Sequence, residues 1–125
     1  MSIKEDAKIN FIQGEENAKI KQYFDPKNTS NGISYSLAQF TLEIGEKTKL
    51  HKIKSSEIYY ILEGNGKLRI DGNEFELKKN DSAYVPPNSE QFFENIGSEK
   101  LQFLCIVEPA WKQEDDEILE YKFEY

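Results

Sequence analysis

Gly45-Glu46-Lys47-Thr48-Lys49-Leu50-His51-Lys52-Ile53-Lys54-Ser55-Ser56-Glu57, continued by Ile58 to Glu63 and closed by Gly64, is the stretch that decides how this chain folds. It contains the only histidine of the 125 residues, His51. On a strand, side chains at i and i+2 project to one face, so positions 51 and 53 converge on a common point. Lys54-Ser55-Ser56 breaks that strand, and Glu57 returns on the next one. The spacing describes a ligand site inside a sheet or barrel. The residues supplied are an imidazole, an aliphatic side chain and a carboxylate, and Ile53 has no lone pair to offer.

Outward from this stretch the chain reads as short strands separated by turns. Ile33 to Ile44 is a long run of β-formers, Glu57 to Leu62 is another, and Lys67 to Ile70 alternates polar and apolar residues. Asp71-Gly72 is a tight-turn signal before Glu74 to Leu77, where Phe75 and Leu77 share a face. Lys78 to Asp81 breaks the pattern again. Ser82 to Val85 leads to Pro86-Pro87-Asn88, Gln91 to Glu94 follows, Asn95 to Ser98 turns, and Leu101 to Val107 is the last strong strand. Strands recurring every ~8–12 residues predict an all-β antiparallel sandwich or barrel rather than a parallel sheet with crossover helices. Gly64-Asn65-Gly66 reads as a hairpin turn between two of these strands. Only Gln113 to Glu120 has a helical pattern, with Ile118 and Leu119 as its apolar contacts.

No internal repeat, P-loop, G-x-S-x-G or cysteine pair at zinc spacing occurs. The length suits a single domain over 1–125, with an N-terminal arm at 1–30, a barrel at about 33–107 and an acidic segment at 108–125. Within the arm, Lys8 to Ile12 and Ala18 to Phe24 predict edge strands, and such arms pair across two-fold axes. We therefore expect a homodimer.

Sixteen basic residues against 23 acidic ones give a formal charge of -7. Nucleic acid and anionic membrane surfaces are recognised by basic faces, which this composition does not supply. Residues 112–125 hold two lysines and six acidic residues, more than half of the excess, and read as a solvated segment. The single cysteine, Cys105, lies in the apolar run Leu101 to Val107 and reads as a buried thiol in a reducing interior. With no apolar run of membrane-spanning length and no signal-peptide core, the expected location is the cytoplasm.

The stretch from Gly45 to Gly64 resembles the first motif of the cupin superfamily, G-x5-H-x-H-x3-E-x6-G, matching at Gly45, His51, Glu57 and Gly64. The second cupin motif, G-x5-P-x-G-x2-H-x3-N, aligns with Asn80 to Asn95 without a gap, matching at Pro86 and Asn95. Asn88 stands at its second glycine, a mild change because Asn tolerates positive φ. Gln91 stands at its histidine. Fifteen residues, Asn65 to Lys79, separate the motifs, the short spacing of small bacterial cupins.

The resemblance implies an antiparallel β-barrel, or jelly roll, with its site inside. A typical cupin site holds iron, manganese, nickel or zinc on three histidines and a glutamate. Carried over position by position, this chain offers His51, Ile53, Glu57 and Gln91, and an amide oxygen is a poor ligand for such metals. The expectation is a metal-free pocket, without a cofactor, for a small sugar-like or carboxylate-bearing molecule. The resemblance to sugar isomerases and epimerases makes His51 and Glu57 the candidate catalytic pair, for isomerase, epimerase or lyase chemistry by proton transfer. Gln91 would bind the ligand, with Tyr35, Gln39, Tyr59 and Tyr84 as candidate pocket walls. Two alternatives stand beside this one. The first is a non-catalytic sensor or binding module. The second is an oxygenase-type protein whose divalent metal rests on His51, Glu57 and Gln91.

Overall fold

The alternation in the sequence becomes two facing sheets in the computed structural model, which describes residues 2–14 and 17–119. Its strands, in chain order, are β1 (Ile12–Gln13), β2 (Lys19–Phe24), β3 (Ser36–Leu42), β4 (His51–Ile53), β5 (Ser56–Glu63), β6 (Asn65–Ile70), β7 (Asn73–Lys78), β8 (Ser82–Val85), β9 (Gln91–Asn95), β10 (Leu101–Glu108) and β11 (Asp116–Ile118). One sheet has the order β1-β2-β3-β10-β5-β8 and the other β11-β4-β9-β6-β7. All pairings are antiparallel.

Period-two burial puts Glu57, Tyr59 and Ile61 of β5 on the inner face, opposite Val107, Cys105 and Phe103 of β10 in the pairing register. The second sheet contributes Leu68 from β6 and Gln91, Phe93 and Asn95 from β9. Leu42, Ile61, Leu68, Phe93, Leu101 and Phe103 are almost fully buried between the sheets. Each such side chain stabilises the fold by about 1.5–3 kcal/mol relative to exposure. The outer faces of β5, β8 and β10 carry Ile58, Tyr60, Tyr84 and Ile106, all partly exposed.

Consecutive strands often change sheet, and this positions the site. β4 and β5 are separated by Lys54 and Ser55 yet belong to different sheets, so His51 and Glu57 approach the interior from opposite sides. β5 and β6 also change sheet, so Gly64 is a crossing between sheets and not the hairpin turn expected from Gly64-Asn65-Gly66. Its φ is +90°, and a Cβ there would lie 2.5 Å from the Lys100 carbonyl oxygen. Only glycine fits. Asn88 sits at φ +62°, as expected for a residue in a glycine position.

Both ends of the chain depart in part from expectation. Ala18 to Phe24 does form a strand, β2, which pairs with β3 of the same chain. Lys8 to Ile12 does not: Asp6–Lys8 is a 3-10 turn, and only Ile12–Gln13 joins the sheet. The helical pattern at 113–120 shrinks to one 3-10 turn, Gln113–Asp115. Asp116–Ile118 continues as β11, pairing Ile118 with His51, because the free edge of β4 offers a ladder that an isolated short helix lacks. Residues 120–125 of the acidic segment lie outside the described residues.

Candidate functional site

The two sheets enclose a cavity of about 240 Å³. Its inner wall is largely aromatic and aliphatic: Phe40, Phe103, Tyr59, Phe93, Ile53 and Val107. His51, Glu57 and Cys105 are the functional groups set into that wall. The lining continues onto Ile12 and Trp111, which are half exposed.

β4 presents His51 with 7% of its surface exposed. Its Nδ1 is 2.8 Å from the Lys49 carbonyl oxygen. A carbonyl only accepts, so Nδ1 carries the proton and the neutral ring keeps its lone pair on Nε2. No described residue hydrogen-bonds that nitrogen.

Glu57 is the sink of a buried hydrogen-bond chain. The Tyr59 hydroxyl donates to Gln91 Oε1 at 2.7 Å, the Gln91 amide nitrogen donates to Glu57 Oε1, and Cys105 Sγ donates to Glu57 Oε2 at 3.1 Å. Both carboxylate oxygens therefore accept, and every donor is neutral. Gln91 is paired across the β4–β9 ladder with His51 and is only 1% exposed. It reaches the site as the brace that fixes Glu57.

Three expected pocket walls lie elsewhere, for one reason. Gln39 alternates along β3 with Ala38 and Phe40, which line the cavity, so Gln39 faces the other way, its amide 3.0 Å from the Tyr23 hydroxyl. Tyr84 pairs with Ile58 on the outer face of β5 and β8 and is 59% exposed. Tyr35 precedes β3 and is also exposed. Of the four expected walls, Tyr59 alone lines the cavity. Phe103 and Cys105 share a strand face with Val107, but the run of five apolar residues from Phe103 to Val107 hides which face is inward. Trp111 donates from Nε1 to Asp116 Oδ2 at 3.0 Å and borders the cavity.

A family model described as the cupin domain matches residues 38–107, from within β3 to the last residue but one of β10. The chain belongs to the cupin family. An uncharacterized protein of Methanocaldococcus jannaschii is 45% identical to this cupin over 102 residues, 81% of each chain. An oxalate-binding protein of Thermotoga maritima is 32% identical over 71 residues, 56% of this cupin and 59% of that protein. The fold is shared with the crystal structure of a predicted oxalate decarboxylase from Thermotoga maritima, with a TM-score of 0.77 at 22% identity, covering 86% of this chain and 99% of that one.

Cupins often hold a metal, and the donor set of this cupin does not fit one of the usual kind. Ile53 replaces one imidazole with an aliphatic wall. Gln91 replaces another, and its oxygen and nitrogen are already committed to Tyr59 and Glu57. Among the described residues no three His, Cys, Asp or Glu side chains converge as a metal site. One imidazole and one braced carboxylate remain.

Proposed function

We propose that this cupin binds a small molecule in its barrel without a resident metal, and that His51 and Glu57 are the groups that meet it. The observation that carries this reading is the Tyr59–Gln91–Glu57–Cys105 chain, which uses the second-motif position to hold a carboxylate instead of a metal. A cavity near 240 Å³ lies just below the ~300 Å³ at which ordinary ligand pockets begin, so the ligand is small.

Of the two ligand classes expected from the sequence, the lining disfavours the carboxylate-bearing one. Glu57 and Asp116 line the cavity, and no lysine or arginine among the described residues does. A ligand hydroxyl can donate to His51 Nε2 and to Glu57, whereas a ligand carboxylate would meet like charge. For the same reason oxalate, named for the Thermotoga relative, is a poor fit to this chain.

As an enzyme, the cupin would move a proton. His51 Nε2 would take it from a carbon or hydroxyl of the ligand, and the Glu57 carboxylate in the same cavity would stabilise the imidazolium that forms. Isomerisation, epimerisation and elimination all need this step. A pure binding module would use the same two groups without turnover.

Elemental analysis of protein purified without chelator tests the metal-free reading. Less than stoichiometric iron, manganese, nickel or zinc is the expected result, with the same figure for His51→Ala. A full equivalent of metal that His51→Ala abolishes would sink it. A cytoplasmic location belongs to the same proposal, supported by the single cysteine of the chain being a buried thiol.

A further inference from the structure

Among the described residues, the only acidic or basic side chains in the cavity wall besides His51 are carboxylates. Glu57 is 5% exposed, receives hydrogen bonds only from a neutral amide and a neutral thiol, and makes no ion pair among the described residues. Asp116, which accepts from Trp111 Nε1, adds a second carboxylate to the lining, and no lysine or arginine among the described residues lines the cavity. Neutral donors solvate a carboxylate but leave its charge in place, and a buried charge without a counter-charge is costly.

The rest of the wall suits a cation as well. Phe40 and Phe103 stack with centroids 5.4 Å apart, Tyr59 meets Phe103 edge-on at 5.3 Å, and Phe93 lies 4.7 Å from Phe103. Aromatic rings attract ammonium groups, more strongly where water is excluded. His51 Nε2 adds an acceptor for an ammonium hydrogen. Carboxylate, π surface and acceptor all select for positive charge, and nothing in the lining selects for negative charge.

We infer that the ligand is a small organic cation, a protonated amine or quaternary ammonium whose charge lies against Glu57 and the aromatic wall. The inference rests on the barrel being a metal-independent small-molecule pocket, and it names the ligand's charge.

The test is calorimetric titration at pH 8, with EDTA present, of three probes that share one alkyl chain: n-butylammonium, 1-butanol and butyrate. The ammonium is expected to bind about tenfold or more tighter than the alcohol, and butyrate weakest. Glu57→Gln keeps the shape of the side chain and should cost the ammonium about tenfold while changing the alcohol by no more than about threefold. Phe40→Leu, outside the Glu57 hydrogen bonds, should cost the ammonium a further few-fold, on the order of a lost cation–π contact. Circular dichroism establishes that each variant is folded, and Phe40→Leu keeps the test decisive if Glu57→Gln is not. If the alcohol or butyrate binds as tightly as the ammonium, the pocket stands and the cationic ligand is wrong. If none of the three binds, the pocket reading fails and the inference with it.

Discussion

Gln91 shows how much a single side chain decides in this barrel. It occupies the position where the family motif carries an imidazole, and it connects the Tyr59 hydroxyl to the Glu57 carboxylate. Gln91→Ala would open a void and leave two buried partners unmet. A lost buried hydrogen-bond partner costs ~1–3 kcal/mol, so the variant should be destabilised by about 2–4 kcal/mol, read as a lower urea midpoint at unchanged slope. A loss below about 0.5 kcal/mol would show that the brace is unimportant. The position of Gln91 was legible from the motif alignment. Its use was not, because an amide can face a ligand or its neighbours, and the choice depends on Tyr59 and Glu57, 32 and 34 residues away in sequence.

The N-terminal segment is tied to the barrel by an element-scale device that alternation alone does not reveal. The Asp6 carboxylate accepts from the Tyr23 hydroxyl at 2.7 Å and pairs with Lys21 at 3.1 Å, while Lys21 Nζ also lies 4.7 Å from the Phe11 ring centroid. Burial, and then the hydrogen bond to Asp6, push the Tyr23 hydroxyl from its ordinary 10.0 up to about 12. The same hydrogen bond, with Lys21, lowers Asp6 below its ordinary 3.8. The two shifts work at opposite ends of the pH scale. Tyr23 is raised, so its contribution is complete below pH 10 and fades as pH rises through about 12. Asp6 is depressed, so its contribution is present above pH 3.8 and fades as pH falls through the lowered value. Ultraviolet titration should therefore show a tyrosinate phase near pH 12 that disappears in Tyr23→Phe. A titration of that variant with the late phase intact would assign it to another tyrosine. The Asp6 carboxylate is largely exposed, so the tie orders the segment more than it stabilises the fold.

At the scale of the whole molecule, the arm expected to exchange between protomers is occupied within its own chain, with β2 laddered to β3 over Lys19 to Phe24. The homodimer remains our proposal, with two-fold pairing of copies rather than arm exchange as its basis. Sedimentation equilibrium should give twice the chain mass of 14.6 kDa, and a single species at 14.6 kDa would end the proposal. No helix among the described residues is long and apolar enough to cross a membrane.

The sequence by itself determined the all-β class and the strand sequence from β3 to β10, because period-two burial and motif spacing are local properties of the chain. It also placed His51 and Glu57 correctly on successive strands. Only the tertiary structure decided which sheet each strand joins, and so which side chains share the cavity. Gln39 and Tyr84 read as pocket walls in one dimension, yet both belong to outer faces, since a strand presents alternate residues to opposite sides and an apolar run does not announce its phase. Cys105, Gln91 and Tyr59 meet at Glu57 only because β5, β9 and β10 converge across the barrel. That convergence is long-range packing, and it turned the spacing of a metal motif into a braced, uncompensated carboxylate.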